Sequence, residues 1–174
     1  AATPGALVVT AIAKTSPSEK TVELLAWRST DGGQRWSGPK RINGAPGSAI
    51  EGLQNLATGP GERVACVWLD LRSGGMELYV AVSNDGGASW AESLAYRSPD
   101  GNVCECCHPS IAWSGTGDLV VMWRNWLGGA RDMYLARSTD GGLTFQKAEK
   151  LGHGTWPLNA CPMDGGALQI GADG

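Results

Sequence analysis

An eight-residue pattern occurs three times in this chain, and its spacing restricts the folds open to it. Ser29-Thr30-Asp31-Gly32-Gly33-Gln34-Arg35-Trp36 recurs as Ser83-Asn84-Asp85-Gly86-Gly87-Ala88-Ser89-Trp90, then as Ser138-Thr139-Asp140-Gly141-Gly142-Leu143-Thr144-Phe145. The aspartates stand 54 and then 55 residues apart. A fixed period of this size marks a repeated supersecondary unit, and it suits four short antiparallel strands with their turns. The flanking sequence keeps the same rhythm. Leu56 to Trp68 and Ile111 to Trp123 are both 12 residues, while Trp68 to Tyr79 and Trp123 to Tyr134 are both 11.

Between these landmarks the residues alternate or run β-branched and aromatic, as at Arg63–Leu69, Glu77–Val82 and Leu119–Trp123. No stretch keeps a 3.6-residue period with helix caps, so the chain reads as all-β. The second unit is predicted as strands over Gly52–Thr58, Arg63–Asp70, Glu77–Ser83 and Trp90–Arg97. The third is predicted over Pro109–Ser114, Asp118–Asn125, Asp132–Ser138 and Thr144–Lys150. The motif therefore falls at each turn from third to fourth strand. There Asp31, Asp85 and Asp140 can accept backbone N–H groups, the glycines supply positive φ, and the aromatic packs the hairpin end. The 26 glycines fit a protein with many tight turns.

Three copies of Ser-x-Asp-x-Gly-x-x-Trp/Phe in register resemble the Asp boxes, or bacterial neuraminidase repeats, of sialidases and related β-propellers. The resemblance implies a single domain over residues 1–174, with blades at about 6–44, 50–98 and 108–151. It implies the fold more than the activity, since the box is a turn device shared with non-sialidases.

The sequence opens on a second strand, Ala6–Ile12, and closes after the first strand of a next blade at about 165–172. Each end lacks the strand that the other could supply, and three blades are too few to close a ring. Two copies joined tail to head would give the six blades of a sialidase-like propeller, closed by strand exchange. The competing expectation is that the missing half belongs to a longer chain or to another chain.

Charged residues are 18% of the total and the net charge is −3, so no basic field exists to attract nucleic acid. No apolar run reaches the roughly 20 residues of a membrane span. The opening Ala1-Ala2-Thr3-Pro4-Gly5 lacks Met, and with the cysteines it is read as exported, secreted or periplasmic. Cys66 sits in a strand pattern and is assigned to the core. Cys104, Cys106, Cys107 and Cys161 leave two readings open. In one, Cys106 or Cys107 bonds Cys161 across adjacent blades while Cys104 pairs locally. In the other the thiolates, with His108 or Met163, hold a soft metal such as copper(I) or zinc. No other cofactor is expected.

Strand alternation puts the Asp boxes on one face and the suggestive residues on the other. The loops after the second strands carry Asp70-Leu71-Arg72 and Arg124-Asn125-Trp126, with Arg131-Asp132 returning; the connections between blades carry the cysteines, Trp156 and Asp164. Arg72, Arg124 and Arg131 could grip a carboxylate, as the sialidase arginine triad does, or Arg131 could simply pair with Asp132 or Asp70. Asp70, Asp132 and Asp164 are candidate acids. Trp126 and Trp156 are candidates for ligand stacking, whereas Trp123 reads as core. A tyrosine nucleophile with its glutamate is not visible, and Arg41-Ile42-Asn43 resembles the sialidase Phe/Tyr-Arg-Ile-Pro motif poorly. The expected function is a binding module for a carbohydrate, small anion or soft metal; the alternative is an exo-acting sialidase-type glycosidase.

Overall fold

The computed structural model describes residues 1–14, 16–18, 21–49, 53–99 and 101–171. Its strands are β1 Leu7–Ala13, β2 Glu23–Ser29, β3 Lys40–Arg41, β4 Gln54–Thr58, β5 Val64–Asp70 and β6 Glu77–Ser83. They continue as β7 Ala91–Tyr96, β8 Gly101–Val103, β9 Ser110–Trp113, β10 Leu119–Leu127, β11 Met133–Ser138 and β12 Glu149–Lys150. The fold is all-β, as the repeat predicts.

The strands form three antiparallel sheets in the orders β1-β2-β3, β4-β5-β6-β7 and β9-β10-β11-β12. The register keeps the repeat: Trp68 faces Tyr79 and Trp123 faces Tyr134. One element was not anticipated. β8 pairs with the far end of β10, Asn125–Leu127, which runs two residues beyond the predicted Asn125 end.

Several strands are shorter than predicted. β12 holds only Glu149–Lys150 of the expected Thr144–Lys150, because the backbone of Thr144 bonds the Asp140 carboxylate instead of a neighbouring strand. β4 begins at Gln54, and the predicted Gly52 lies outside the described residues. The predicted strand at 165–172 does not form: residues 165–171 are not in a strand, and residue 172 lies outside the described residues. A strand needs a ladder partner, and this segment hooks elsewhere, with Ser110 Oγ donating to the Gly166 carbonyl at 2.8 Å.

The Asp boxes behave as turn devices. Each serine hydroxyl accepts the N–H of the second glycine, at 2.9 Å from Gly33, 2.7 Å from Gly87 and 2.8 Å from Gly142. Each carboxylate then takes the backbone N–H four residues on, at 2.9 Å for Asp31 and Arg35, 2.8 Å for Asp85 and Ser89, and 3.0 Å for Asp140 and Thr144. The Ser89 side chain foremost holds Asp85 down to about 2, and Thr144 likewise depresses Asp140. Gly87 and Gly142 do a second job. A Cβ on Gly87 would lie 2.8 Å from Val8 of the first sheet, and one on Gly142 would lie 2.7 Å from Val82 of the second. The hairpin tips thus set how closely successive sheets approach.

Two apolar clusters fill the space between sheets. One joins Leu24, Ala26 and Ile42 to Cys66, Trp68 and Ala81. The other joins Val67, Leu69, Val80 and Val82 to Leu119, Val121 and Trp123. Cys66 is fully buried, and that burial pushes its thiol up to about 12, an inert core residue. Trp123 lies 4.5 Å from Tyr96 and 6.3 Å from Tyr134, centroid to centroid, and belongs to packing.

Candidate functional site

Three connections converge beyond the end of β10 and the start of β11: the turn 128–132, the cysteine segment 104–108 that follows β8, and the stretch 151–166. Backbone bonds fix them. Cys104 N–H donates to the Arg124 carbonyl at 2.9 Å, and Arg131 N–H to the Trp156 carbonyl at 2.9 Å. The convergence of these loops matches the face expected from strand alternation.

Cys106 and Cys161 form a disulfide across 55 residues, with Cα atoms 6.4 Å apart. It joins the third sheet's leading segment to the stretch after β12. Cys104 and Cys107 are buried and unbonded, with Sγ atoms 2.9 Å apart, and Cys104 Sγ lies 3.6 Å from Cys106 Sγ. Burial, with the neighbouring Cys104 adding to it, pushes the Cys107 thiol up to about 11. His108 does not join the group of Cys104, Cys106 and Cys107 sulfurs. His108 is exposed and its Nδ1 lies 2.9 Å from the Pro109 carbonyl, while Met163 is exposed at a positive φ of 53°.

Arg124 and Arg131 are buried side by side. Arg124 donates from Nε to the Asp164 carbonyl at 2.8 Å and from Nη1 to the Arg131 carbonyl at 2.6 Å. Its guanidinium lies over the Trp156 ring at 5.0 Å, and the Asp164 carboxylate stands 3.7 Å away. Arg131 lies over Trp126 at 4.5 Å and donates from Nη1 to Cys104 Sγ at 3.1 Å. The expected alternative, in which Arg131 pairs with Asp132 or Asp70, is not what forms. Asp132 instead accepts the Trp156 N–H at 2.8 Å and faces Lys150 Nζ at 3.2 Å. Arg124, Arg131, Asp132, Leu151, Thr155 and Trp156 line an open cleft of about 330 Å³. Trp156 is 46% exposed there.

Arg72 and Asp70 belong to different chemistry, which corrects their grouping with the arginines above. Asp70 is fully buried and accepts from Arg72, from Ser48 Oγ at 2.6 Å and from Trp68 Nε1 at 2.9 Å. Burial raises its pKa, but these donors outweigh it and hold the carboxyl below the ordinary 3.8. It cannot serve as a proton donor near neutrality. Arg72 is engaged by Asp70 and Glu92 and lies over Tyr79 at 3.7 Å.

Thr155 of the cleft, and Lys150 that reaches it from outside the lining at 3.0 Å, were missed in the sequence. The only signal was register: Lys150 pairs with Tyr134, close to Asp132. Glu92 gave none, since a 20-residue side-chain contact to Arg72 leaves no trace in a pattern.

Residues 2–165 match the family described as BNR repeat-like domain. The chain belongs to that family. This BNR repeat-like domain has the sialidase-like propeller fold, and the solved structures it resembles agree. A protein of unknown function from Dyadobacter fermentans is 23% identical with a TM-score of 0.60, over 85% of this chain and 47% of that one. The intramolecular trans-sialidase of Ruminococcus gnavus, in complex with oseltamivir carboxylate, is 24% identical with a TM-score of 0.54, over 75% and 27%. The α-L-arabinanase of Penicillium chrysogenum, complexed with arabinobiose, is 16% identical with a TM-score of 0.54, over 84% and 45%. The domain thus spans less than half the length of each, and at such identities the likeness is one of fold. No curated protein matches the chain. Among the described residues no helix is long and apolar enough to cross a membrane.

Proposed function

We propose that this BNR repeat-like domain is the ligand-binding part of a glycoside-hydrolase-like propeller, and that its cleft takes a carbohydrate bearing a carboxylate. The observation that carries this is Arg124. It is buried to 7% exposure and held by carbonyl oxygens on one side. Among the described residues its charge is matched only by Asp164, which is 73% exposed on its side chain. Such a guanidinium keeps its full charge for an anion, and the half-exposed Trp156 beside it offers an apolar face to a sugar ring. Isothermal titration with sialic acid tests the reading. Binding should be detectable and should weaken at least tenfold in Arg124→Ala. No heat with sialic acid or with uronic acids would refute it.

The second reading is an exo-acting glycosidase of the sialidase type. Asp164, close to Arg124 and open to solvent, is the acid this reading now rests on, in place of Asp70. Turnover of a fluorogenic sialoside that disappears in both Arg124→Ala and Asp164→Asn would favour it over binding alone.

Among the named strands β1 pairs with β2 alone; Ala1 and Ala2 bridge the start of its outer edge at Leu7 and Val8, and the rest of that edge, Thr10 to Ile12, can accept a further strand. We infer that residues 165–171 of a second copy, or of the remainder of a longer protein, fill this edge and complete the ring. The disulfide supports an oxidising location, secreted or periplasmic. We further infer that the cysteines hold a soft metal only as thiolates, so Cys106 and Cys161 count as ligands only after reduction.

A further inference from the structure

Two buried guanidiniums stand beside the cysteine cluster with little negative charge to match them. Arg131 is 6% exposed, and among the described residues no carboxylate pairs with it. Its buried Nε has no hydrogen-bond partner, and its Nη1 points at Cys104 Sγ, 3.1 Å away. Arg124 adds a second cation, matched among the described residues only by the exposed Asp164. Buried cations without a counter-charge are costly. The atoms placed to answer them are sulfurs. The Sγ atoms of Cys104, Cys106 and Cys107 lie within 4.8 Å of one another, and the disulfide carries Cys161 to the same place.

We propose that, once the Cys106–Cys161 disulfide is reduced, Cys104, Cys106, Cys107 and Cys161 form a tetrathiolate site for a divalent zinc-class ion. Arg124 and Arg131 are its counter-charges. The proposal deepens the soft-metal reading of the cluster and does not depend on the carbohydrate reading. A dithiol reductant delivers two electrons and two protons to the disulfide and is itself oxidised to a disulfide. The ion then displaces one proton from each of the four thiols. Four thiolates around a divalent ion leave a double negative charge, which two guanidiniums balance. A monovalent ion such as copper(I) would leave a triple charge, so charge matching selects the divalent one.

The dimensions agree. Zinc–sulfur bonds of about 2.3 Å in a tetrahedron set the sulfurs about 3.8 Å apart. Cys104 and Cys106 already stand at 3.6 Å, and the 2.9 Å between Cys104 and Cys107 has to open by about 1 Å. Cys104 and Cys107 are buried, which keeps water off the ion, and the Arg131 contact to Cys104 is the outer hydrogen bond that metal ligands ordinarily receive.

The test is cobalt(II) titration of the chain after reduction with a dithiol and desalting under argon. One cobalt per chain is expected, with sulfur-to-metal charge-transfer bands, the visible bands of a tetrahedral four-sulfur set, and displacement by zinc. Alkylation should then spare the four ligand cysteines. Cys161→Ser should shift the visible bands towards a three-sulfur set. Arg131→Leu should weaken binding about 10- to 100-fold, with Arg131→Lys restoring most of it, a rescue that a merely structural arginine would not show. Absence of charge-transfer bands in the reduced wild-type chain overturns the proposal, whatever the folding of any variant. Bands unchanged in both Cys104→Ser and Cys161→Ser overturn it equally. No sugar enters the experiment, so its failure is separate from failure of the carbohydrate reading.

Discussion

Arg72 holds Asp70 side-on, with Nε donating to Oδ1 and Nη2 to Oδ2, both at 2.8 Å. Asp70 closes β5 and Arg72 opens the loop after it, so the fork forms within one turn of chain. The same guanidinium reaches Glu92 on β7, tying the end of β5 to a strand that is not its neighbour in the second sheet. Breaking a buried pair leaves a charge without compensation. Asp70→Asn should therefore cost about 3 kcal/mol in urea unfolding and leave sugar or cobalt binding unchanged. Loss of binding in a folded Asp70→Asn protein would return Asp70 to the site.

The Asp boxes make the fold sensitive to acid. Asp31, Asp85 and Asp140 all sit below their ordinary value of 3.8, Asp31 chiefly through Arg35, and Asp85 near 2. A depressed folded-state value means that this stability is complete above about pH 4 and is lost as pH falls towards 2. The melting temperature should drop across that window. In Asp85→Asn the drop should be shallower, and an equal slope in the two proteins would disprove the assignment.

Gly141 and Gly142 separate backbone strain from close packing. Both have positive φ, 77° and 90°, but a Cβ on Gly141 meets open space while one on Gly142 meets Val82. Gly141→Ala should cost about 1 kcal/mol, the left-handed penalty alone. Gly142→Ala should cost about 1–3 kcal/mol more, from overpacking. Equal costs in denaturant titration would show that the box does not set the spacing of the sheets.

The Cys106–Cys161 bridge closes a 55-residue separation. In the metal-free chain, Cys106→Ser with Cys161→Ser should cost about 4 kcal/mol by loop-closure entropy. Limited proteolysis should then cut within 157–166 first, because that stretch holds no strand. Cleavage elsewhere at the same rate would mean that the bridge does not secure it.

The open edge of β1 predicts association. Multi-angle light scattering of the isolated chain should give twice the chain mass, and Thr10→Pro, which removes a backbone N–H that points away from β2, should shift it to monomer. A monodisperse wild-type monomer would rule out the closed homodimer and leave the longer-protein alternative.

Much of the fold was legible in the chain because turn chemistry and strand alternation are local. The Ser-x-Asp-x-Gly-x-x-Trp/Phe boxes announce their own hydrogen bonds, and the tryptophan and tyrosine landmarks carry the register of β5, β6, β10 and β11. Strand alternation also predicted that Arg124, Arg131, Trp156 and the cysteines would share a face. What only the tertiary structure decided was pairing. Whether Cys106 or Cys107 met Cys161, whether Arg72 joined the other arginines or turned to Asp70 and Glu92, and whether 165–171 formed a strand all depended on which groups long-range packing brought within bonding distance. Bonds of about 3 Å are set by side-chain placement, and a linear pattern records the residue types without recording that placement.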